Sequence, residues 1–301
     1  RANKASIVAT NPPYGHRIST LAGMPAVRAT LAEATSSLPS NWRVALISPD
    51  AGVDSALGRA PHKAIACHNG PIEAAVRLYS LHDTERHTVE VVSLGGRLQE
   101  VPCALATSAQ FAARLRKPAR ERARWAQRAG VDAYRVYDAD LPEYPFAIDM
   151  YACPGHEAAA GRWIRLEEQS QRGRRKSEAH ALRLADASAL AGAILEVPAS
   201  HLVELGWQDS WSASAPSEGQ PSVEVGEGGL TYCVDLAARP STGLPLIQRE
   251  ARALVSTLAA QKSVVSLFES SSAALVRSAS AGAKAIVGVD TSQARLDQLE
   301  R

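Results

Sequence analysis

Asn11, Pro12, Pro13 and Tyr14 follow one another directly after the apolar run Ala5-Ser-Ile-Val-Ala-Thr10, with Gly15 behind them. These residue types suit one kind of chemistry. A planar amine conjugated to a ring is a poor nucleophile because its lone pair is delocalised. An Asn carboxamide oxygen and the carbonyl of the following residue can accept both of its N–H hydrogens and turn the lone pair toward an electrophile. Pro12 and Pro13 stiffen the loop, and each removes a backbone donor that would compete at the site. Tyr14 offers a face on which an unstacked base can lie. Asn, Pro and Gly are also ordinary turn residues, so a rigid turn is the bland reading of the same stretch. The strand before it is the context the functional reading needs.

Such a loop is useful only at the edge of a sheet, and the surrounding pattern predicts one. Ala5–Thr10 reads as a short apolar strand, Met24 to Leu38 has the helical spacing of Val27, Leu31, Ala34 and Leu38, and Arg43–Ser48 reads as a second buried strand. His62–Asn69 and Ile72–Ser80 form a predicted hairpin about Asn69-Gly70. The motif thus falls at the carboxyl end of a strand, where open α/β sheets bind ligands.

From about 83 to 110 the periodicity fades around Gly95-Gly96, which reads as a linker. Residues 111–129 then form a basic helix, in which Arg114, Arg116, Lys117, Arg120, Arg122, Arg124 and Arg128 face a single acid, Glu121. Two strands are predicted within Val131–Tyr151 about the turn Leu141–Pro145, another over Arg162–Glu168, and a helix from Ser177 to about Glu196. Ser210–Gly229 reads as a Ser/Gly/Pro-rich loop. Beyond it come a strand at Thr231–Leu236, a helix at Leu246–Ala260, a strand at Ser263–Phe268, a helix at Ala273–Ala281, a strand at Ala285–Asp290 and a last helix to Arg301.

The 301 residues, 46% of them hydrophobic, can bury the core of one large or two modest domains. Only 5% are aromatic, so those cores must be built mostly from Ala, Leu and Val. No apolar run approaches the roughly 18 residues of a membrane span, and the N-terminus lacks the pattern of a secretory signal; a cytoplasmic protein is expected. Cys67, Cys103, Cys153 and Cys233 stand far apart, with no C-x-x-C pair and no metal-ligand spacing, and read as packed thiols. The formal net charge of +2 hides a basic middle third, where helix 111–129 and the cluster Arg172, Arg174, Arg175, Lys176 could meet phosphates or simply face solvent. Tyr134, Tyr137 and Tyr144 could stack bases or pack a core. Asp138 and Asp140 read as turn caps in preference to an acid–base pair.

Asn-Pro-Pro-Tyr is the signature of S-adenosyl-L-methionine-dependent methyltransferases acting on exocyclic or amide nitrogen. Ile7 to Gly15, Leu46-Ile-Ser-Pro-Asp50, His62-Lys63 and Asn69-Gly-Pro-Ile-Glu73 resemble the latter half of the guanine-N2 module of bacterial bifunctional 23S rRNA methyltransferases. Tyr134-Arg-Val-Tyr-Asp-Ala-Asp-Leu-Pro-Glu-Tyr144, continuing to Asp149, is similar to the entrance of the guanine-N7 module of the same family. The resemblance implies an α/β fold in which Rossmann-like half-modules flank a smaller α+β connecting domain. The expected parts are residues 1–88 as the end of the first module, 89–110 as a linker, 111–230 as a connecting, RNA-binding domain and 231–301 as the start of the second module. It also implies a methyltransferase acting on 23S rRNA with S-adenosyl-L-methionine as cofactor. Asn11, Pro12, Pro13 and Tyr14 would form the amine site, and Thr242, Gly243, Arg249, Phe268 and Asp290 would line the second module's cofactor pocket, Asp290 at the ribose hydroxyls.

This sequence departs from the family pattern in the second module. The loop after strand 263–268 is Phe268-Glu-Ser-Ser-Ser272, without the glycine that lets backbone approach a cofactor. Leu246-Ile-Gln-Arg249 lacks the family's acid, so a degenerate second module is one expected outcome. The chain begins at Arg1 with its motif ten residues in, an arrangement expected of a piece of something longer. Two further readings stay open: a circularly permuted single amino-methyltransferase acting on nucleic acid, and a non-catalytic RNA-binding connector. The oligomeric state is not legible.

Overall fold

Strand β1 (Ile7–Thr10) carries the Asn11 motif, and helix α1 (Met24–Ser36) returns the chain so that β2 (Arg43–Ser48) runs parallel to it, pairing Ile7 with Arg43 and Thr10 with Leu46. The computed structural model describes residues 6–13, 23–81, 87–153, 161–169, 178–206, 221–239, 241–267 and 272–291. After the short helix α2 (Val53–Leu57), β3 (Lys63–Asn69) and β4 (Ile72–Ser80) form the predicted hairpin, and Gly70 takes the positive φ of 62° that its turn requires. The sheet order is β1-β2-β4-β3, with β2 antiparallel to β4. Val44 and Leu46 of β2 point inward to meet Val53, Leu57 and Tyr79, with Leu31 and Leu38 packed against them.

The segment expected as a linker holds a hairpin instead. β5 (Thr88–Val92) and β6 (Leu98–Pro102) pair antiparallel and bury Val89, Val91 and Val101. Alternating valines outweigh Gly95-Gly96, which lie in the turn between the strands. Helix α3 spans Ser108–Ala129, starting three residues before its expected position, and contains Pro118. It buries Phe111, Ala112, Leu115, Ala119 and Ala126 while Arg114, Arg116, Lys117, Arg122, Arg124 and Arg128 face solvent. Next come β7 (Ala133–Asp138), β8 (Phe146–Ala152), β9 (Arg162–Glu168), α4 (Glu178–Leu195) and β10 (Leu202–Leu205), in a sheet ordered β10-β9-β8-β7.

The Ser/Gly/Pro-rich loop also needs correction. Within its expected span, β11 (Ser222–Glu227) pairs with β12 (Leu230–Asp235) and buries Val223 and Val225. A 3-10 turn at Leu246–Gln248 runs into α5 (Arg249–Ala259), and β13 (Ser263–Leu267) and β14 (Ala285–Val289) lie parallel with α6 (Ala273–Ser280) between them. The expected helix after Asp290 and the basic cluster at 172–176 lie outside the described residues.

The chain divides into two units, one of residues 1–123, 136–149 and 157–207 and the other of 124–135, 150–156 and 208–301. The first contains the β1–β4 sheet, the β5–β6 hairpin and α4. In the second, Val265, Leu267, Ile286, Val287 and Val289 remain exposed, although parallel strands are ordinarily covered on both faces.

Candidate functional site

The parallel pairing of β1 and β2 places Asn11–Pro13 and the turn Ser48–Asp50 at one sheet edge. Asn11 and Pro13 are exposed and Pro12 is buried, so the segment is seated by a proline between two exposed residues; Tyr14 lies outside the described residues. The adjacent turn is held tightly. Ser48 Oγ accepts the Asp50 N–H at 3.0 Å, and Asp50 Oδ1 accepts the Gly52 N–H at 2.9 Å.

Asp50 Oδ2 also accepts from Arg28 Nε of α1 at 2.8 Å, and Arg28 Nη1 donates to Glu204 Oε1 of β10 at 2.6 Å. Ser188 of α4 donates to the same Glu204 oxygen. Burial disfavours the Arg28 cation, but Glu204 and Asp50 outweigh it and push its pKa up. Burial pushes the Glu204 carboxyl up in turn, against the opposing pull of Arg28. Sequence reasoning missed both residues, because Arg28 and Glu204 stand 176 positions apart and share no motif. A cavity of about 230 Å³ opens beside Arg28 between α1, α2 and α4, lined largely by alanines such as Ala29, Ala185 and Ala189. None of the expected site residues among the described ones lines it.

The expected cofactor residues sit in the second unit. Thr242 is buried and its carbonyl accepts the Asp235 N–H at 3.0 Å. Gly243 adopts a φ of 95°, a conformation that favours glycine over residues with a Cβ. Arg249 has two of its three guanidinium nitrogens engaged: Nε donates to Glu227 Oε2 at 2.7 Å, Nη2 donates to the Ala133 carbonyl, and the guanidinium lies 5.4 Å from the Trp125 ring centroid. Asp290 is half-buried immediately after β14, and Phe268 lies outside the described residues. The parallel register pairs Leu267 with Val289, so both strands end at the edge that Asp290 occupies.

The alternating tyrosines are core residues. Phe111 stacks on Tyr144 with centroids 4.8 Å apart and meets Tyr137 edge-on at 5.2 Å. Tyr134, Tyr137 and Tyr144 are all buried, which leaves no ring face for a base. Burial pushes Tyr137 up to about 12, and its hydroxyl donates to the Tyr144 carbonyl at 3.0 Å. Asp140 pairs with Arg114 at 3.6 Å. The four thiols are free, but Cys233 is exposed, contrary to the expectation of packing.

The site so built is a segment at the carboxyl end of β1, in a four-stranded mixed sheet. No protein-family model matches the chain. Along 99% of its length it is similar to proteins named ribosomal RNA large subunit methyltransferase K/L: 30% identical over 313 residues to that of Pseudomonas entomophila strain L48, and 30% over 300 residues to that of Allochromatium vinosum. The chain spans 42% and 39% of the length of those two relatives. Among solved structures, a Streptococcus mutans protein described as a candidate SAM-dependent methyltransferase aligns over 97% of this chain and 66% of its own, at 17% identity and a TM-score of 0.48.

Proposed function

We propose that this chain is part of an S-adenosyl-L-methionine-dependent guanine methyltransferase acting on 23S rRNA in the cytoplasm. Its residues 1–88 would close an N2 module, 111–230 would connect, and 231–301 would open an N7 module. The observation that carries the proposal is the position of Asn11, exposed directly after β1 beside a parallel strand, in a chain similar over 99% of its length to proteins with that name. Asn11 and Pro12 would accept the two hydrogens of the guanine amine through the carboxamide and backbone oxygens, and Tyr14 would stack on the ring. The cofactor supplies an electrophilic methyl group on a sulfonium.

In the second module, the place of Asp290 after a parallel strand fits an acid for ribose hydroxyls, and the Thr242-Gly243 turn fits a backbone wall beside a ligand. Phe268 would enter from the loop after β13. Arg249 contributes through its position, since its nitrogens serve Glu227 and Ala133. The solvent-facing arginines of α3 favour contact with an RNA backbone.

The test is full-length protein carrying Asn11→Ala, assayed for labelled methyl transfer to rRNA with mass analysis of the guanosines. Loss of a preorganised hydrogen-bonding group should lower kcat by on the order of 10²-fold. A normal rate of N2 methylation overturns the assignment. Calorimetry separates the permuted reading, in which residues 1–301 alone bind the cofactor tightly.

A further inference from the structure

Three elements meet on one side chain. Arg28 lies in the second turn of α1, the helix that resumes the chain after the Asn11 loop, and it is 8% exposed. Its Nε reaches the carboxylate of Asp50, in the turn that shares a sheet edge with Asn11, and its Nη1 reaches Glu204 of β10. The backbone is cut to admit it: a Cβ at Gly52 would stand 2.7 Å from Arg28 Nε and 2.8 Å from the Ala185 Cβ. Gly52 also donates to Asp50, so the turn that receives the guanidinium is shaped by the same carboxylate.

Burying such a cluster is a poor route to stability, because hydrophobic residues of like volume often do as well or better. What it provides is geometry. A planar guanidinium with carboxylates on two sides fixes direction as well as distance. The β2 turn shares a sheet edge with Asn11–Pro13 through the strand register and is bound to α1 through Arg28–Asp50.

We propose that Arg28, held by Asp50 and Glu204, is a positioning residue for the amine-binding segment at Asn11–Pro13, so that β10 and α4 help set the orientation of the target base. The inference rests on the proposed function of that segment. Arg28 touches neither substrate nor cofactor in this role; it acts by fixing the Ser48–Asp50 turn at the sheet edge that Asn11–Pro13 shares. Small misplacements of a reacting group lower the rate without abolishing binding.

The experiment compares Arg28→Met, Arg28→Lys, Glu204→Gln and Gly52→Ala in the full-length protein, with rates expressed per folded molecule. Arg28→Met and Gly52→Ala should lower kcat for N2 methylation by on the order of tenfold or more, with KM for the cofactor unchanged. Arg28→Lys, which keeps the charge but loses the fork, should recover part of the loss. Arg77→Met is the structural control: Arg77 pairs with Asp54 at 2.9 Å and is similarly buried, and its loss should lower stability while kcat stays normal. If Arg28→Met does not fold, Glu204→Gln and Arg28→Lys decide the matter, and unchanged kcat in both overturns the proposal. A slow Asn11→Ala beside an Arg28→Met of normal kcat overturns this inference alone, whereas a normal Asn11→Ala removes the site reading and this inference together.

Discussion

The two units each bury a cluster of three charges, and the clusters are mirror images. In the first, one guanidinium, Arg28, stands between two carboxylates, Asp50 and Glu204. In the second, one carboxylate, Glu227, stands between two guanidinium groups, Arg249 at 2.7 Å and Arg252 at 2.8 Å. Arg252 also donates to the Pro245 carbonyl at 2.6 Å, so this cluster pins the segment that follows Thr242-Gly243. Each cluster ties together elements that are remote in sequence and stands close to an expected ligand loop. They differ in what remains when the central charge is removed. A carboxylate left alone can take up a proton, whereas a guanidinium cannot shed one.

The largest effect should therefore come from Glu227→Gln. It takes the carboxylate from buried Arg252 and half-buried Arg249, neither of which has a neutral form to adopt, and stability should fall by roughly 3–5 kcal/mol. Urea denaturation followed by circular dichroism measures the loss, which should stay flat between pH 5 and 8. A loss that shrinks on acidification would break the contrast between the clusters.

Arg28→Met should cost less, about 2–4 kcal/mol near neutrality, and its cost should depend on pH. In the variant, Glu204 keeps the burial that raises its pKa and loses the cation that opposes it. A carboxyl whose folded pKa lies above its unfolded value binds a proton on folding. Its stabilising contribution is fully present below the unfolded pKa and is lost as pH rises through the folded one. The deficit relative to the parent should therefore be largest at pH 7 and shrink toward pH 5 in parallel denaturation series.

The smallest effect belongs to an exposed pair. Lys117 and Glu121 lie 3.9 Å apart on the solvent face of α3, and Glu121→Gln should change stability by less than about 0.5 kcal/mol. A larger change would mean that burial is not what separates the two clusters from the surface charges.

Much of the scaffold was legible because its signals are local. β2 was expected at Arg43–Ser48 and is found there, since alternating Val44, Leu46 and Ser48 face inward. The β3–β4 hairpin was announced by Asn69-Gly70, and β9 by Arg162–Glu168. β5, β6 and β11 were not legible for one reason: each is a short alternating strand beside glycines, whose turn signal competes locally with the valines at 89, 91, 101, 223 and 225 that tertiary packing buries. The tyrosines show the complementary limit. Their spacing fits a base-stacking ribbon as well as a core, and only the arrival of Phe111 from α3 decides between the two.

By itself the sequence carried the Asn11–Tyr14 motif and its place after a strand, because residue type and short-range periodicity are local, whereas the parallel pairing of β1 with β2 is a tertiary contact. It also carried the resemblance to rRNA methyltransferases. Tertiary structure alone decided that Arg28 reaches Asp50 and Glu204, and that Arg249 is engaged by Glu227 and the Ala133 carbonyl. Ion pairs between residues so far apart leave no periodic trace in a chain, and they form only when burial removes the water that would otherwise solvate each charge separately.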